Sequence, residues 1–157
     1  MENSRLFCTF RVGGRLFGVD ILDVKEVTTE TTSTRIAHTP EEVRGLVNIR
    51  GHIYLALDLR RLLGMAGTSV TGSSRLVLFK PAVGIAFGVV VDEIGDIESA
   101  APTHIEAFSR HDQLLAVTNL RRVDLIDAVC KLNDELLVVL NPRRFLTVVE
   151  QNLAASA

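Results

Sequence analysis

Several kinds of residue are scarce in this chain, and each shortage excludes a class of protein. It has no tryptophan, one tyrosine and an aromatic fraction of 5% in 157 residues, which is too little for a surface on which nucleic-acid bases stack. Its two cysteines, Cys8 and Cys130, make neither a disulfide framework nor a set of metal ligands. Both stand among apolar residues, which predicts reduced side chains in the core.

An excess of charge of either sign is also lacking. The 17 Lys and Arg against 19 Asp and Glu give a net charge of −2, so no overall positive field attracts nucleic acid. The longest apolar run, Val83–Val91, is far shorter than the roughly 20 residues of a membrane-spanning helix. The amino terminus lacks the apolar stretch of a secretory signal. We therefore expect a cytoplasmic protein that neither binds nucleic acid nor inserts into a membrane.

The residues that carry catalysis do not form a recognisable set. None of the four histidines has a second ligand at a metal-binding spacing. The acidic pair Glu41-Glu42 fits the opening turn of a helix, and Asp92-Glu93 fits the end of a strand, better than acid–base chemistry. We therefore predict no enzymatic activity and no cofactor.

What the chain does have is an internal repeat. Ser4–Val27 aligns without gaps with Ser74–Ile97, 70 residues later, and Gly51–Leu63 aligns with Asp134–Leu146, 83 residues later. Two copies of one unit are too few for a solenoid, which needs at least three. We expect one domain over residues 1–157, with subdomain 1 at about 14–72, subdomain 2 at about 74–140, and terminal segments that pack across both.

Each copy has the pattern of an all-β unit. Short apolar runs bounded by Gly and Pro predict strands at Leu6–Val12, Leu16–Ile21, Leu46–Ile49, Ile53–Leu57, Arg75–Phe79, Val83–Val91, Val123–Val129 and Leu136–Leu140. Thr39–Glu42 is typical of a helix start. Asp58 and Asn141 are predicted to cap short helices over Leu59–Leu63 and Pro142–Gln151. The fold class is therefore two small β-barrels with a few short helices.

Four stretches share a pattern with a known family. They are Phe17–Val27, Thr39-Pro40 with Arg44–Gly51, Leu57–Arg60, and Val89–Ile94. The most specific element is the series Arg44-Gly45, Asn48-Ile49-Arg50-Gly51 and Asp58-Leu59-Arg60. Together they resemble the CheW family, the coupling proteins of bacterial chemosensory arrays, over roughly Ser4 to Leu146.

The resemblance implies a fold and a function. The fold would be two intertwined, five-stranded, SH3-like β-barrels. The function would be that of a non-catalytic adaptor that couples chemoreceptors (methyl-accepting chemotaxis proteins) to a CheA-type histidine kinase. Its partners would be the helical-hairpin tip of the receptor and the regulatory domain of the kinase. The resemblance also implies a monomer in isolation, rings with the kinase in arrays, and membrane association through those arrays alone.

The resemblance implies a receptor-binding surface of five residues, Val24, Glu26, Val27, Arg50 and Gly51. The planar guanidinium of Arg50 suits carboxylates or carbonyls at a helix tip. The residues alone leave an alternative open. In it, Arg50 ends a strand in water, and Val24 and Val27 belong to the core because Ile94 and Ile97 occupy their repeat positions.

The resemblance also implies a kinase-binding surface, formed by Arg44, Gly45, Leu57, Asp58 and Leu59. For Asp58, a role as helix cap is the alternative. The chain departs from the family pattern at Leu55, where proline is usual, and at Ala128, where glycine is common. The local strand geometry at both positions is therefore open.

Other functions compete with the adaptor. A scaffold of a related pathway (motility, pili or second-messenger signalling) is indistinguishable from it by sequence. An SH3-like barrel that binds nucleic acid would need a basic stripe with interleaved aromatic residues. A small-molecule-binding or hydrolytic barrel would need a polar cluster in a cavity.

Overall fold

The computed structural model describes residues 3–67, 70–107 and 122–156. The strands in these ranges are β1 Arg5–Val12, β2 Arg15–Asp20, β3 Val24–Thr28, β4 Val43–Ile49, β5 His52–Asp58, β6 Arg75–Phe79, β7 Phe87–Val91, β8 Glu93–Ala100, β9 Ile105–Ala107, β10 Ile126–Lys131 and β11 Leu136–Leu140. The α-helices are α1 Leu59–Leu62 and α2 Phe145–Ser156. Short 3₁₀ turns lie at Ile21–Asp23, Pro102–His104, Val123–Leu125 and Pro142–Arg144.

The strands form two sheets. Sheet A has the order β8-β1-β2-β11-β10-β9, and sheet B has the order β3-β6-β7-β5-β4. Neighbouring strands are antiparallel except for β2 with β11 and β5 with β7, which are parallel. The prediction of an all-β protein with a few short helices is confirmed.

The two copies of the repeat exchange strands. Copy one supplies β1 to β5, and copy two supplies β6 to β11. Strand β3 of copy one pairs with β6 of copy two, and β8 of copy two pairs with β1 of copy one. Each sheet therefore contains strands from both halves of the chain. The residue ranges expected for the two subdomains follow the copies of the repeat and not the sheets, and they stay a prediction.

Aromatic and aliphatic side chains fill the space between the sheets. Phe17 and Phe87, which are equivalent in the repeat, are both fully buried in one cluster with Phe79 and Phe145. The Phe79 ring lies 5.1 Å from that of Phe87 and 6.0 Å from that of Phe145, centroid to centroid. Each buried side chain of this size contributes about 1.5–3 kcal/mol of burial energy. The core thereby holds both sheets and α2 together.

The helix start predicted at Thr39–Glu42 is wrong. This segment is a turn, in which the Val43 N–H donates to the Pro40 carbonyl over 3.0 Å. The Thr39 hydroxyl donates to the Ile36 carbonyl at 2.9 Å and caps no helix. The chain enters β4 directly because the alternate residues Val43 and Val47 are buried, which favours a strand over a helix.

Several strand boundaries also differ from the prediction. Within Val83–Val91 only β7 is a strand, because Ala86 has a positive φ of 42° that ends the extended backbone. Val123–Leu125 is a 3₁₀ turn that precedes β10. Strands β3, β8 and β9 were not predicted; they are edge strands with mostly exposed or half-buried residues. Edge strands of this kind lack the apolar runs by which strands were identified.

The two predicted helix caps are confirmed. The Asp58 side chain accepts from the Arg61 N–H over 3.4 Å at the start of α1. The Asn141 side chain accepts from the Arg143 N–H over 3.1 Å at the equivalent place in copy two. Both residues satisfy backbone donors that the first turn of a helix leaves unpaired.

Both cysteines are free and buried. Burial raises the pKa of the Cys8 thiol and of the Cys130 thiol, where it outweighs the opposite effect of the Arg5 charge. Both therefore stay protonated side chains of the core. In the described part of the chain, no helix combines the length and the apolar character needed to cross a membrane.

Candidate docking surfaces

The Asn48–Gly51 motif forms the hairpin between β4 and β5. Ile49 pairs with His52, so that Arg50 and Gly51 alone connect the two strands. Their φ values are 51° and 87°, and two successive positive values are typical of a type I′ turn. The Gly51 N–H also donates to the Asn48 side chain over 2.8 Å. The Asn48–Gly51 motif therefore encodes one tight turn.

Arg50 occupies this turn at an energetic cost. Positive φ favours Gly, Asn and Asp, and an arginine there loses about 1 kcal/mol. Its side chain is 69% exposed and donates to the Glu26 carboxylate of β3. The Lys25 ammonium donates to the Tyr54 hydroxyl at 2.8 Å, which also ties β3 to β5. Side chains thus join β3 to the far end of sheet B.

The apolar residues of β3 divide into one core residue and one surface residue. Val24 is half-buried and packs against the main core cluster, whereas Val27 is 38% exposed. Their repeat equivalents behave alike, since Ile94 packs against the same cluster and Ile97 is 60% exposed. Of the two alternatives, burial supports the core role for Val24 and a surface position for Val27. The receptor-binding role of all five residues stays a prediction.

The residues predicted to bind the kinase lie at the other end of β4, and most of them are buried. Leu57 and Leu59 have no exposed surface, so their side chains can support a docking surface from beneath but cannot contact a partner. Gly45 is buried with a φ of 137°, and a Cβ there would lie 2.1 Å from the Thr34 carbonyl oxygen. Arg44 is the member with a partly exposed side chain, at 26%, and Asp58 shows only its edge.

Arg44 and Asp58 border an open cavity of about 400 Å³. We call it the arginine cavity. Its lining residues are Arg35, Glu41, Val43, Arg44, Asp58, Arg61 and Gly67. Arg44 Nη1 lies 3.5 Å from Asp58 Oδ2, and Arg61 Nη1 lies 3.1 Å from Glu41 Oε2. Arg35 is not among the residues predicted from the sequence, and it reaches this place because Thr34 pairs with Leu46 across the edge of β4.

Arg60, the last residue of the family motif, is part of the internal structure. Its guanidinium donates to Asp92 with Nη2–Oδ2 and Nε–Oδ2 distances of 2.6 and 3.1 Å. Asp92 also accepts from the Gly13 N–H over 2.9 Å. Asp92 stands where the chain passes from β7 in sheet B to β8 in sheet A. The pair therefore fixes α1 to the β1–β2 turn at the crossing between the sheets.

Charge and burial compete at this pair. Burial alone would raise the pKa of Asp92, but the hydrogen bonds from Arg60 and Gly13 and the charge of Arg60 outweigh it, so that the pKa is lowered. The hydrogen bond to Asp92 likewise raises the pKa of Arg60. Both groups are therefore held in their charged forms.

Copy two has a related pair. Arg143, the repeat equivalent of Arg60, lies 3.0 Å from Asp23, which stands where the chain leaves β2 of sheet A for β3 of sheet B. Both crossings between the sheets are thus held by an arginine that follows a capping residue.

The two departures from the family pattern have local explanations. The Leu55 N–H donates to the Ala86 carbonyl over 2.8 Å, a bond that a proline could not make. Ala128 is the repeat equivalent of Gly45, and each follows an irregularity in strand register. Unlike Gly45, Ala128 does not have a positive φ, so copy two accommodates a side chain there.

Among the described residues, which do not include His111, no group of three or more His, Cys, Asp or Glu is placed to hold a metal ion. The conspicuous charged groups instead form ion pairs that join strands, or they border the two ends of β4. Two β-sheets that each contain strands from both copies, with charged residues at their surface turns, suit a protein-interaction scaffold.

Comparison with known proteins agrees with this class. The model of the CheW-like domain matches residues 6–150. The chain therefore belongs to the CheW family, whose members are scaffold proteins of chemotaxis.

Individual relatives have low sequence identity to this chain but align with much of its length. The chemotaxis protein CheW of Klebsiella aerogenes is 26% identical over 147 residues, covering 94% of this chain and 84% of the relative. CheW of Bacillus subtilis is 26% identical over 68% of each chain. Protein PilI of Pseudomonas aeruginosa is 33% identical over 85 residues, 54% of this chain and 47% of the relative. The crystal structure of the scaffolding protein TtCheW from Thermoanaerobacter tengcongensis shows the same fold, with a TM-score of 0.74, 23% identity, and coverage of 87% and 88%.

Proposed function

We propose that this chain is a non-catalytic adaptor that couples chemoreceptors to a CheA-type histidine kinase in a bacterial chemosensory array. It acts in the cytoplasm, is monomeric alone, and forms rings with the kinase. The receptor tip binds at Glu26, Val27, Arg50 and Gly51, which Val24 supports from the core side. The kinase regulatory domain binds around Arg44 and Asp58.

The observation that carries this proposal is the conformation of Arg50. A non-glycine residue held at positive φ is strained, and such strain persists at positions where the side chain has a function. Asparagine or glycine would make the same turn without the cost. The guanidinium of Arg50 stands exposed beside the half-buried Glu26 and the exposed Val27. A charged fork next to an apolar side chain suits the end of an amphipathic helical hairpin.

The length of β4 supports simultaneous binding of two partners. Arg44 lies at one end of this strand and Arg50 directly follows the other. At about 3.3 Å per residue, the two positions are about 20 Å apart. A receptor tip and a kinase domain can therefore occupy opposite ends of one rigid strand, as an adaptor requires.

The proposal is tested by removing the Arg50 side chain while keeping the turn. Arg50→Asp and Arg50→Asn place residues that tolerate positive φ, and the strain they relieve is offset by the lost ion pair with Glu26. We therefore expect the melting temperature to be nearly unchanged, within about 0.5 kcal/mol of stability. We expect binding to a soluble cytoplasmic fragment of a receptor from the same organism, measured by calorimetry, to fall at least about tenfold.

Asn133→Asp is the matched control. Asn133 is exposed and takes the position of Arg50 in copy two. This variant introduces the same carboxylate on the other barrel, with the one-unit change in charge of Arg50→Asn, and should bind the receptor fragment normally. Wild-type affinity in both Arg50 variants, or unfolding caused by Arg50→Asn, would contradict the assigned role.

A second candidate is a scaffold in a related pathway outside chemotaxis. It is favoured by the 33% identity to a relative that carries another name, PilI. Purification of the tagged chain from its own cells, followed by mass spectrometry, separates the two candidates by the receptor and kinase that accompany it.

A further inference from the structure

We infer that the arginine cavity is a binding site for a carboxylate, supplied by an aspartate or glutamate side chain of the docked kinase. This inference rests on the proposed function, because that function places the kinase at Arg44. It adds a residue, Arg35, and the chemistry of the group that enters.

The cavity carries one more positive charge than it neutralises. Its lining contains three guanidinium groups and two carboxylates. Asp58 faces Arg44, and Glu41 pairs with Arg61. Arg35 is exposed and makes no hydrogen bond or ion pair with any residue in the described ranges. One cation at the rim is thus left for a ligand.

Arg44 also has donor capacity that the chain does not use. Its contact with Asp58 is long, at 3.5 Å. Its Nε is buried and has no hydrogen-bond partner among the described residues. A buried donor without a partner costs about 1–3 kcal/mol, and such groups are rare in folded proteins. The guanidinium is therefore poised to gain from a better acceptor than Asp58 alone.

Gly67 keeps the inner part of the cavity free of side chains. A Cβ at this position would lie 2.6 Å from Arg61 Nε and 3.2 Å from Asp58 Oδ2. No positive φ demands glycine here, so the absent side chain has a steric reason. The backbone of residue 67 passes close to both charged groups without covering them.

The charge balance selects a carboxylate over a phosphate. A single carboxylate would bring the cavity from a net charge of +1 to zero, whereas a phosphate dianion would leave it at −1 beside Asp58 and Glu41. The planar fork of a guanidinium also matches the two oxygens of a carboxylate. The chain's own net charge of −2 further disfavours a polyanion such as nucleic acid.

The first test uses acetate as the probe. The full-length chain, labelled with ¹⁵N, is titrated with sodium acetate, sodium phosphate and sodium chloride at equal ionic strength near pH 7.5, where phosphate is mainly the dianion. We expect acetate alone to shift the Nε–Hε signals of Arg35 and Arg44 saturably, and Gly67→Ala to reduce that shift. If acetate acts no more strongly than chloride, or if phosphate acts more strongly than acetate, the inference is wrong.

The second test uses the full-length kinase from the same organism. We expect Arg35→Glu to weaken binding about tenfold or more. The matched control is Arg15→Glu, because Arg15 in β2 also makes no ion pair with a described residue. Unchanged binding of Arg35→Glu would overturn the inference and leave the proposed function standing. A wild-type chain that does not bind the kinase would overturn the proposed function, and the acetate titration would still decide the site.

Discussion

The two copies of the repeat make the same strands but different surfaces. In β3 and β8, Val24 and Ile94 pack against one core cluster, while Val27 and Ile97 are both exposed. The arginine that pairs with β3 is not repeated, because Asn133 stands where copy one has Arg50. The apolar pattern is therefore part of the fold that both copies share. The residues that differ between the copies lie on the surface that we propose binds the receptor.

The largest expected effect tests the second break in the repeat, Gly45 against Ala128. Gly45→Ala places a Cβ against the Thr34 carbonyl at a positive φ, which we expect to lower the free energy of unfolding by at least about 2 kcal/mol. The matched change, Ala128→Gly, should cost only about 1 kcal/mol, through lost burial and chain entropy. Urea unfolding measures the free energy of unfolding of both variants. Equal losses of stability would contradict the structural difference between the two positions.

The next effect compares the two crossings between the sheets. Asp92→Asn removes the charge that holds Arg60 and weakens the contact with Gly13, so we expect a loss of about 1–3 kcal/mol. Asp23→Asn should lose about 1 kcal/mol or less, because its partner Arg143 is 51% exposed. Urea unfolding at neutral pH measures both variants. A larger loss for Asp23→Asn would reverse our ranking of the two crossings.

The smallest effect is a dependence on pH. The pKa of Asp92 is lowered in the folded chain below its ordinary value of 3.8. The ionised group therefore contributes stability that is fully present above the unfolded pKa and is lost as the pH falls through the folded pKa. We expect the stability difference between the wild type and Asp92→Asn to be constant above about pH 5 and to shrink below it. A difference that grows on acidification would contradict this assignment.

The repeat made much of the fold predictable. Equivalent apolar runs indicated β1, β6 and β11, and the capping side chains Asp58 and Asn141 were identified by type and position. The exchanged strands β3 and β8 were missed, because an edge strand exposed on one side carries no continuous apolar signal. The false helix at Thr39–Glu42 shows that tertiary burial of Val43 overrides a local helix-start pattern.

The candidate site was predictable only where it is local in sequence. Arg50 and Gly51 belong to a four-residue turn motif, so the contacts within this turn can be predicted from the local sequence. Arg35 is nine positions before Arg44 and joins it only through the bridge between Thr34 and Leu46. The burial of Leu57 and Leu59 likewise depends on packing from both sheets. Contacts of this kind follow from the topology and not from any short pattern.

The central claim is that one chain holds receptor and kinase at the same time, and sedimentation tests it most directly. Membrane vesicles that contain the receptor are mixed with the kinase, with and without this protein, and the kinase in the pellet is measured. We predict that the kinase sediments only when the chain is present, that Arg50→Asp abolishes this sedimentation, and that Asn133→Asp preserves it. Equal amounts of pelleted kinase with and without the chain would contradict it.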